Sequence, residues 1–148
     1  MSHWIYDNKV VTDVPEGIVG FVYLITNTET DKKYIGRKYF HSTRRVKQKG
    51  RVRKKVVKKE SNWKEYTSSS EELNEAIEQF GKEKFTFEIL QYGKTKGEVN
   101  YLEEYYQFMY NVVLREDFYN KCIGANKFMG LSKSKNKSNL LESIKKRL

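Results

Sequence analysis

Apolar and polar residues alternate over two neighbouring stretches near the start of the chain. The first, "GFVYLITN" from Gly20 to Asn27, is rich in β-branched and aromatic residues, and the second closes with "YIG" from Tyr34 to Gly36. The segment between them, "TETDKK", is polar and typical of a turn. The pattern predicts an antiparallel β-hairpin.

A helical period replaces the alternation further along the chain. In "SSSEELNEAIEQFG" serines precede acidic residues, and Gly81 stands where a helix should end. Its apolar positions recur every three or four residues: Leu73, Ala76, Ile77 and Phe80. The next segment, "KFTFEIL" from Lys84 to Leu90, alternates again and predicts a third strand with Phe85, Phe87 and Ile89 on one face.

A second helix is predicted after this strand. Thr95 with Glu98 three residues later forms a capping box, and the helical period runs to about Asn111. The order of elements predicts the α+β class: a small antiparallel β-sheet flanked by helices, with a basic insertion after the first hairpin.

We expect three parts along the chain. Residues 1–16 are predicted to be a loosely attached N-terminal arm, and residues 17–124 a single domain whose basic insertion spans about 44–60. Residues 125–148 are predicted to be a basic tail, with a flexible linker from Gly130 to Asn139 and a short amphipathic helix in "LLESIKKRL". Trp63 and Tyr66, just before the first helix, are expected to seal the core rather than to stack on bases.

Charge adds the first indication of a partner. The chain of 148 residues has a formal net charge of +10, and 12 of its 29 basic residues lie between Arg37 and Lys59 with no acid among them. Such a block repels itself unless a polyanion lies beside it, which favours nucleic acid. It would provide affinity but no sequence specificity. A solvated basic hairpin or loop is the alternative explanation.

Several classes of protein are disfavoured. No long apolar run predicts a membrane span, and "MSHWIYDNKV" lacks the pattern of a secretory signal. Cys122 is the single cysteine, so an internal disulfide is impossible, and no histidine near it in sequence suggests a zinc site or a thiol catalyst. We expect a cytoplasmic protein without membrane contact, and the sequence leaves its oligomeric state open.

One carboxylate of the second helix has an informative position. Glu103 lies at the border of an apolar stripe, whereas Glu104 falls nearly opposite and is expected to be solvated. The stripe consists of Val99, Leu102, Tyr106, Met109 and Tyr110. An acid at such a border is costly to desolvate unless it meets a cation, a hydrogen-bond donor or a metal. A salt bridge to lysine or arginine explains it equally well.

Together these residues resemble the GIY-YIG nuclease family. Phe21-Val22-Tyr23 followed by Tyr34-Ile35-Gly36 is similar to the family's core hairpin, in which two tyrosines about eleven positions apart lie on adjacent strands. The segment "EEYYQFMYN" resembles its acidic and aromatic helix, and Tyr119-Asn120 its late strand. The resemblance covers residues 17 to 120.

The resemblance implies roles for single residues. Tyr23 and Tyr34 match the two tyrosines, of which the second helps to activate the attacking water, and Glu103 matches the helical glutamate that binds one divalent metal ion, Mg²⁺ or Mn²⁺. Arg44 matches the phosphate-stabilising arginine by spacing. The insertion carries Gly50 and β-branched residues where the family usually has a continuous helix bearing this arginine. Arg37 therefore competes with Arg44, Arg45 remains a candidate, and His41 is a rival base. The predicted substrate-binding residues are Gly36, Arg45, Arg51, Arg53, Lys54, Lys55 and Asn120.

The resulting hypothesis is a metal-dependent endonuclease that hydrolyses DNA phosphodiester bonds, of the compact phage homing type and acting in the host cytoplasm. A non-catalytic nucleic-acid-binding protein that keeps the fold is the alternative from another class. A restriction or repair nuclease would share the chemistry and differ in what it recognises.

Overall fold

The computed structural model describes residues 2–131 and 134–147. Its strands and helices follow the chain in the order β1 (Ile5–Tyr6), β2 (Lys9–Val10), β3 (Gly20–Asn27), β4 (Lys33–Tyr39), β5 (His41–Val46), β6 (Lys55–Glu60), α1 (Glu71–Phe80), β7 (Phe85–Gly93), α2 (Lys96–Met109) and α3 (Ser134–Arg147). Two single turns of 3₁₀-helix, Trp63–Glu65 and Lys82–Lys84, precede α1 and β7. The predicted α+β class is confirmed.

The main sheet has five strands in the order β2-β1-β7-β3-β4. β3 pairs antiparallel with both β4 and β7, so the predicted first hairpin and third strand lie side by side, with β4 at the edge of the sheet. The sheet is mixed rather than purely antiparallel, because β1 lies parallel to β7 and pairs with it through Ile5 and Glu88.

The two faces of the sheet are buried under different helices, because successive side chains of β3 point to opposite sides. Phe21, Tyr23 and Ile25 pack in a core that includes Leu73 of α1, whereas Val22 packs in a second core with Ile35 of β4 and with residues of and after α2. The helices cover the sheet from both sides and leave β4 as its edge strand.

Both long helices begin where the sequence predicts. The Ser70 hydroxyl accepts a hydrogen bond from the Leu73 amide at the start of α1, and the Thr95 hydroxyl accepts one from the Glu98 amide at the start of α2. These caps satisfy amides that have no partner within the helix. At the far end, Met109 and Tyr110 are exposed, so the apolar stripe predicted for α2 holds only over its first part.

The N-terminal segment is not a loosely attached arm. Trp4 is fully buried, and its indole N–H donates a hydrogen bond to the backbone carbonyl of Trp63, itself fully buried as predicted. The prediction failed because the first residues are too few to show an apolar period, whereas a single large aromatic side chain suffices to anchor them.

The basic insertion is an antiparallel ribbon, β5 paired with β6, that forms a sheet of its own. Its base is tied to the domain where the Ser61 hydroxyl donates to the carbonyl of Tyr39 over 2.7 Å and the Ser61 amide donates to the carbonyl of Phe40 over 2.8 Å. The basic residues between these ties are therefore ordered along two strands rather than along a helix.

The predicted division of the C-terminal tail into a linker and a short helix is wrong. Helix α3 begins at Ser134, so the expected linker ends there and the helix is longer than "LLESIKKRL"; positions 132, 133 and 148 lie outside the described residues. Leu140 and Ile144 of α3 share an apolar groove with Phe108 and Phe128. Among the described residues, no helix combines the length and the apolar content that crossing a membrane requires.

The anchoring of the N-terminus makes a first prediction. We expect Trp4→Ala to lower the free energy of unfolding by about 3–5 kcal/mol, since it removes a fully buried aromatic side chain and leaves a cavity. Urea denaturation followed by circular dichroism measures this change. Val10→Ala, at an exposed position in the same N-terminal segment, is the matched control and should be nearly silent. Equal free energies of unfolding for the wild type and Trp4→Ala would contradict this and favour the prediction of a loosely attached arm.

Candidate active site

A polar cavity of about 260 Å³ lies along the edge strand β4. Its walls come from the β3–β4 hairpin, the segment before α1, one side of α2 and the segment after Tyr119. The lining residues are Tyr23, Tyr34, Gly36, Arg37, Tyr66, Ser69, Glu103, Gln107, Asn120, Lys121, Cys122, Gly124 and Ala125. Six residues that sequence reasoning proposed for the site meet here: Tyr23, Tyr34, Gly36, Arg37, Glu103 and Asn120.

The two tyrosines stand side by side with their ring centroids 6.2 Å apart. Tyr23 is almost fully buried, and burial raises its pKa well above the ordinary value. Burial also raises the pKa of Tyr34 to about 12, although a hydrogen bond with Ser69 acts in the opposite direction. Both phenols are therefore protonated at neutral pH and can act as hydrogen-bond donors.

Gly36 allows the two tyrosines to pack so closely. It pairs with Tyr23 across the hairpin, and a Cβ atom at this position would lie 2.5 Å from the Tyr23 hydroxyl oxygen and 2.9 Å from the Tyr34 ring. Real Cβ atoms do not approach other heavy atoms to 2.5 Å. Glycine is required here for space, and the Tyr-Ile-Gly sequence thereby gains a physical explanation.

Glu103 and Arg37 face each other across the cavity. Arg37 Nε lies 3.5 Å from Glu103 Oε1, and the two side chains are 38% and 13% exposed. Burial raises the pKa of the Glu103 carboxyl, the Arg37 charge opposes this, and the Glu104 charge adds to it. Arg37 Nε is buried and has no hydrogen-bond partner within the described residues. The pair is loose, and the guanidinium retains a donor for another acceptor.

Two amide side chains hold β4 beside the cavity. The Asn120 side chain accepts a hydrogen bond from the Ile35 amide and donates one to the Ile35 carbonyl, over 3.0 and 2.8 Å. Gln107 also donates to that carbonyl and accepts from the Gly124 amide. Asn120 therefore positions the strand, and its direct contact with substrate stays a prediction. Gln107 was missed because a polar residue inside a helix gives no sign that it will be buried.

The structure does not bring the other arginine candidates into the cavity. Arg44 and Arg45 lie on β5, paired with Val57 and Val56, and both are exposed. His41, at the start of the same strand, also lies outside the cavity lining. The spacing that favoured Arg44 assumes a continuous helix after the hairpin, and the ribbon replaces that helix.

Three lining residues carry no recognisable signal in the sequence. Ser69 precedes the N-cap of α1, Lys121 follows Asn120 directly, and Cys122 is half-buried at the cavity wall. Glu104 also differs from expectation, because it is half-buried against Gly124 rather than solvated. The positions of Lys121, Cys122 and Glu104 depend on the segment after α2, and that of Ser69 on the segment before α1; the local pattern determines the course of neither.

The described residues contain no group of three or more His, Cys, Asp and Glu side chains placed to hold a metal ion. Glu103 is the carboxylate among the cavity-lining residues. Whatever cation this cavity accepts would therefore have one protein carboxylate and would need water or substrate oxygens for its other ligands.

Comparison with known protein families agrees with this geometry. The family model described as "Putative endonuclease segE, GIY-YIG domain" matches residues 4–123. The chain belongs to the GIY-YIG endonuclease family. This GIY-YIG protein is thus an enzyme that hydrolyses phosphodiester bonds, and the matched region begins at Trp4, the residue that anchors the N-terminal segment. No curated protein and no solved structure matches the chain.

The tight packing at Gly36 makes a second prediction. We expect Gly36→Ala to destabilise this GIY-YIG domain by about 1–3 kcal/mol and to reduce cleavage, because the added methyl group displaces the Tyr23 hydroxyl or the strand. Thermal unfolding and single-turnover cleavage measure the two effects. Gly97→Ala in α2 is the matched control, since the nearest atom to its Cβ is 4.0 Å away. A Gly36→Ala variant that behaves like Gly97→Ala would contradict the steric explanation.

Proposed function

We propose that this chain is a divalent-metal-dependent DNA endonuclease whose catalytic centre consists of Tyr34, Arg37 and Glu103. The observation that carries the proposal is the convergence of a phenol, a guanidinium with an unpartnered buried donor and a carboxylate on one cavity. Phosphodiester hydrolysis needs a positioned water and positive charge on the crowded phosphate. Each of the three groups is suited to one part of that chemistry.

Arg37 is the better candidate for phosphate stabilisation. Negative charge builds up on the nonbridging oxygens in the transition state, and a planar guanidinium can donate to two of them. The contact with Glu103 is made through Nε and the side chain is 38% exposed, so the terminal N–H groups remain available to such an oxygen. Arg44, on an exposed strand outside the cavity, is suited instead to contacts with phosphates away from the cleaved bond. The order of preference given by spacing is therefore reversed.

Glu103 fits the chemistry of a Mg²⁺ or Mn²⁺ ligand. Mg²⁺ keeps several waters and is commonly held by one or two carboxylates together with phosphate oxygens, so a single glutamate suffices. The raised pKa of Glu103 means that its surroundings do not fully stabilise the carboxylate charge. A bound cation would supply that charge, polarise the scissile phosphate and lower the pKa of a water molecule.

Tyr34 is assigned the positioning of the attacking water. With a pKa of about 12 its phenol is protonated at neutral pH, so it donates or accepts hydrogen bonds rather than removing a proton outright. Tyr23 lies behind it and fixes its ring by packing. His41, the rival base, is less suited because it lies outside the cavity lining.

The ribbon formed by β5 and β6 is proposed to bind the DNA backbone. Paired residues of an antiparallel ribbon lie on the same face, and the register places Arg44, Lys55 and Lys59 on one face and Arg45 and Lys58 on the other. Arg53 and Lys54 share a shallow groove with Arg45. With Arg51 near its tip, the ribbon offers cations in every direction, which suits phosphates but not the reading of base edges.

Among DNA endonucleases, we propose the compact homing type, encoded by a phage and acting in the host cytoplasm. The basic helix α3 beside a small catalytic domain supports an appended DNA contact. The convergence of Tyr34, Arg37 and Glu103 on one cavity favours an enzyme over a non-catalytic binding protein, which would need only the cationic surface. The Arg37–Glu103 contact by itself is compatible with both.

One experiment distinguishes the proposed roles of Arg37 and Arg44. We expect Arg37→Ala to slow single-turnover DNA cleavage at saturating protein by roughly 100-fold or more, as when an oxyanion-stabilising group is lost. Arg44→Ala should mainly weaken DNA binding, because it removes one phosphate contact. Arg37→Lys keeps the charge without the planar fork and should rescue only part of the rate. The opposite ranking of Arg37 and Arg44 would overturn the assignment.

Glu103→Gln should have opposite effects on cleavage and on stability. Cleavage in Mg²⁺ should be lost while DNA affinity is retained, because a metal ligand disappears and the cationic surface does not. The free energy of unfolding at pH 7 should rise, because burial disfavours the carboxylate in the folded protein and glutamine removes that penalty.

The direction of this stability change follows from the raised pKa of Glu103. The penalty exists above the folded-state pKa and disappears as the pH falls and the carboxyl takes up a proton, so the gain from Glu103→Gln should vanish near the ordinary carboxyl pKa of about 4.3. Urea denaturation at pH 7 and pH 4 measures it, with the exposed Glu75→Gln as control. Cleavage that survives in Glu103→Gln but not in Glu104→Gln would refute the assignment of Glu103.

A further inference from the structure

Helix α2 exposes an apolar surface on the side away from the sheet. Tyr101, Tyr105, Phe108 and Met109, called here the aromatic stripe, are 71%, 49%, 58% and 48% exposed. Their spacing of four, three and one residues places them on one side of the helix. Together with Glu104 they line an open depression in the protein surface.

A different side of the same helix faces the core. Val99 is fully buried, and Leu102 and Tyr106 pack against the core below the sheet, about 110° around the helix from the stripe. A helix whose apolar surface extends well beyond the side that faces its own core is normally covered there as well. Four large aromatic or sulfur-containing side chains are costly to leave in water, so the aromatic stripe has the composition of an interface.

Charge decides which partner suits this surface. In a chain of net charge +10, α2 carries one lysine and three glutamates, a net charge of −2. No lysine or arginine stands within the stripe, so DNA phosphates or anionic lipids would find no counter-charge there. Two copies of a strongly basic protein, in contrast, repel each other least when their least basic faces meet.

The surface suits a small interface between two chains. With roughly 200 Å² for a whole large side chain, the exposed fractions of the stripe amount to about 450 Å² on each copy. Two copies would bury about 900 Å² in total, the size of a weak association rather than of a standard interface. Phe128 and Met129 do not contribute to this area, because Lys121, Lys127 and Lys137 line the depression that holds them.

We propose that two copies of this chain associate through the aromatic stripe of α2, helix against helix about a two-fold axis. Glu103 lies on α2 about 175° from the centre of the stripe, so both cavities stay open when the stripes are covered. If the proposed function holds, the dimer carries two catalytic centres, one for each strand of a duplex.

The test is sedimentation velocity of the purified full chain without DNA. We expect a dimer at concentrations up to about 100 µM, where a Kd near 1 µM pairs most chains, and tighter association as salt rises because salt screens the repulsion between the two basic copies. Tyr105→Glu and Phe108→Glu should each give monomers with an unchanged circular dichroism spectrum. Val10→Glu, at an exposed apolar position outside the stripe, should remain a dimer.

A wild type that is monomeric throughout this range overturns the proposal, as does a dimer that Tyr105→Glu and Phe108→Glu leave intact. Should either glutamate variant lose its helical spectrum, the milder Tyr101→Ser, at the most exposed position of the stripe, replaces it and must still weaken the dimer. A monomeric wild type whose Phe108→Glu variant binds DNA more weakly would assign the stripe to DNA and also overturn the proposal. Because no cleavage is measured, failure here is independent of the proposed catalytic centre.

Discussion

The close approach of Tyr23 to Gly36 is the contact on which the rest of the site depends. The Tyr23 ring is buried in the core of the α1 side, and its hydroxyl crosses β4 at the single residue without a side chain. Tyr34 and Arg37 are the nearest flanking positions that carry cavity-lining side chains. A rigid core residue thus sets the spacing of groups that line the cavity, so a change in core packing would change the geometry of the cavity directly.

A second constraint acts on the same strand from outside. β4 is the last strand of the sheet, and an unpaired edge exposes backbone groups that invite association with other strands. Asn120 and Gln107 occupy the backbone groups of Ile35 there, and Lys33 exchanges hydrogen bonds with Asp117 and Tyr119. The cavity therefore opens at a strand that side chains hold in place, which lets substrate approach β4 without another strand in the way.

Local patterns in the sequence predicted the strands and helices. The positions of several site and core residues depended instead on long-range contacts. The β3–β4 hairpin and the starts of α1 and α2 depend on alternation and caps within a few residues, so they were foreseen, and the position of Glu103 followed from the helical period. The choice between Arg37 and Arg44 depended on whether the chain after β4 continues as a helix or as a ribbon. The burial of Trp4 and Gln107 depended on partners about 60 and 70 residues away, for which a single sequence gives no period.

The basic ribbon has a consequence for energetics. Two strands without a third hold their shape with little free energy of their own. They are joined to the domain at their base through Ser61 and by a long contact between Lys96 and Thr43. If a polyanion fixes the ribbon in one conformation, part of the favourable binding free energy offsets the entropy lost in that ordering. The measured affinity is then lower than the number of ion pairs suggests. If the ribbon binds DNA as proposed, this low stability would let its cations adjust to backbones of different geometry, because ion pairs with phosphates do not depend on the base sequence.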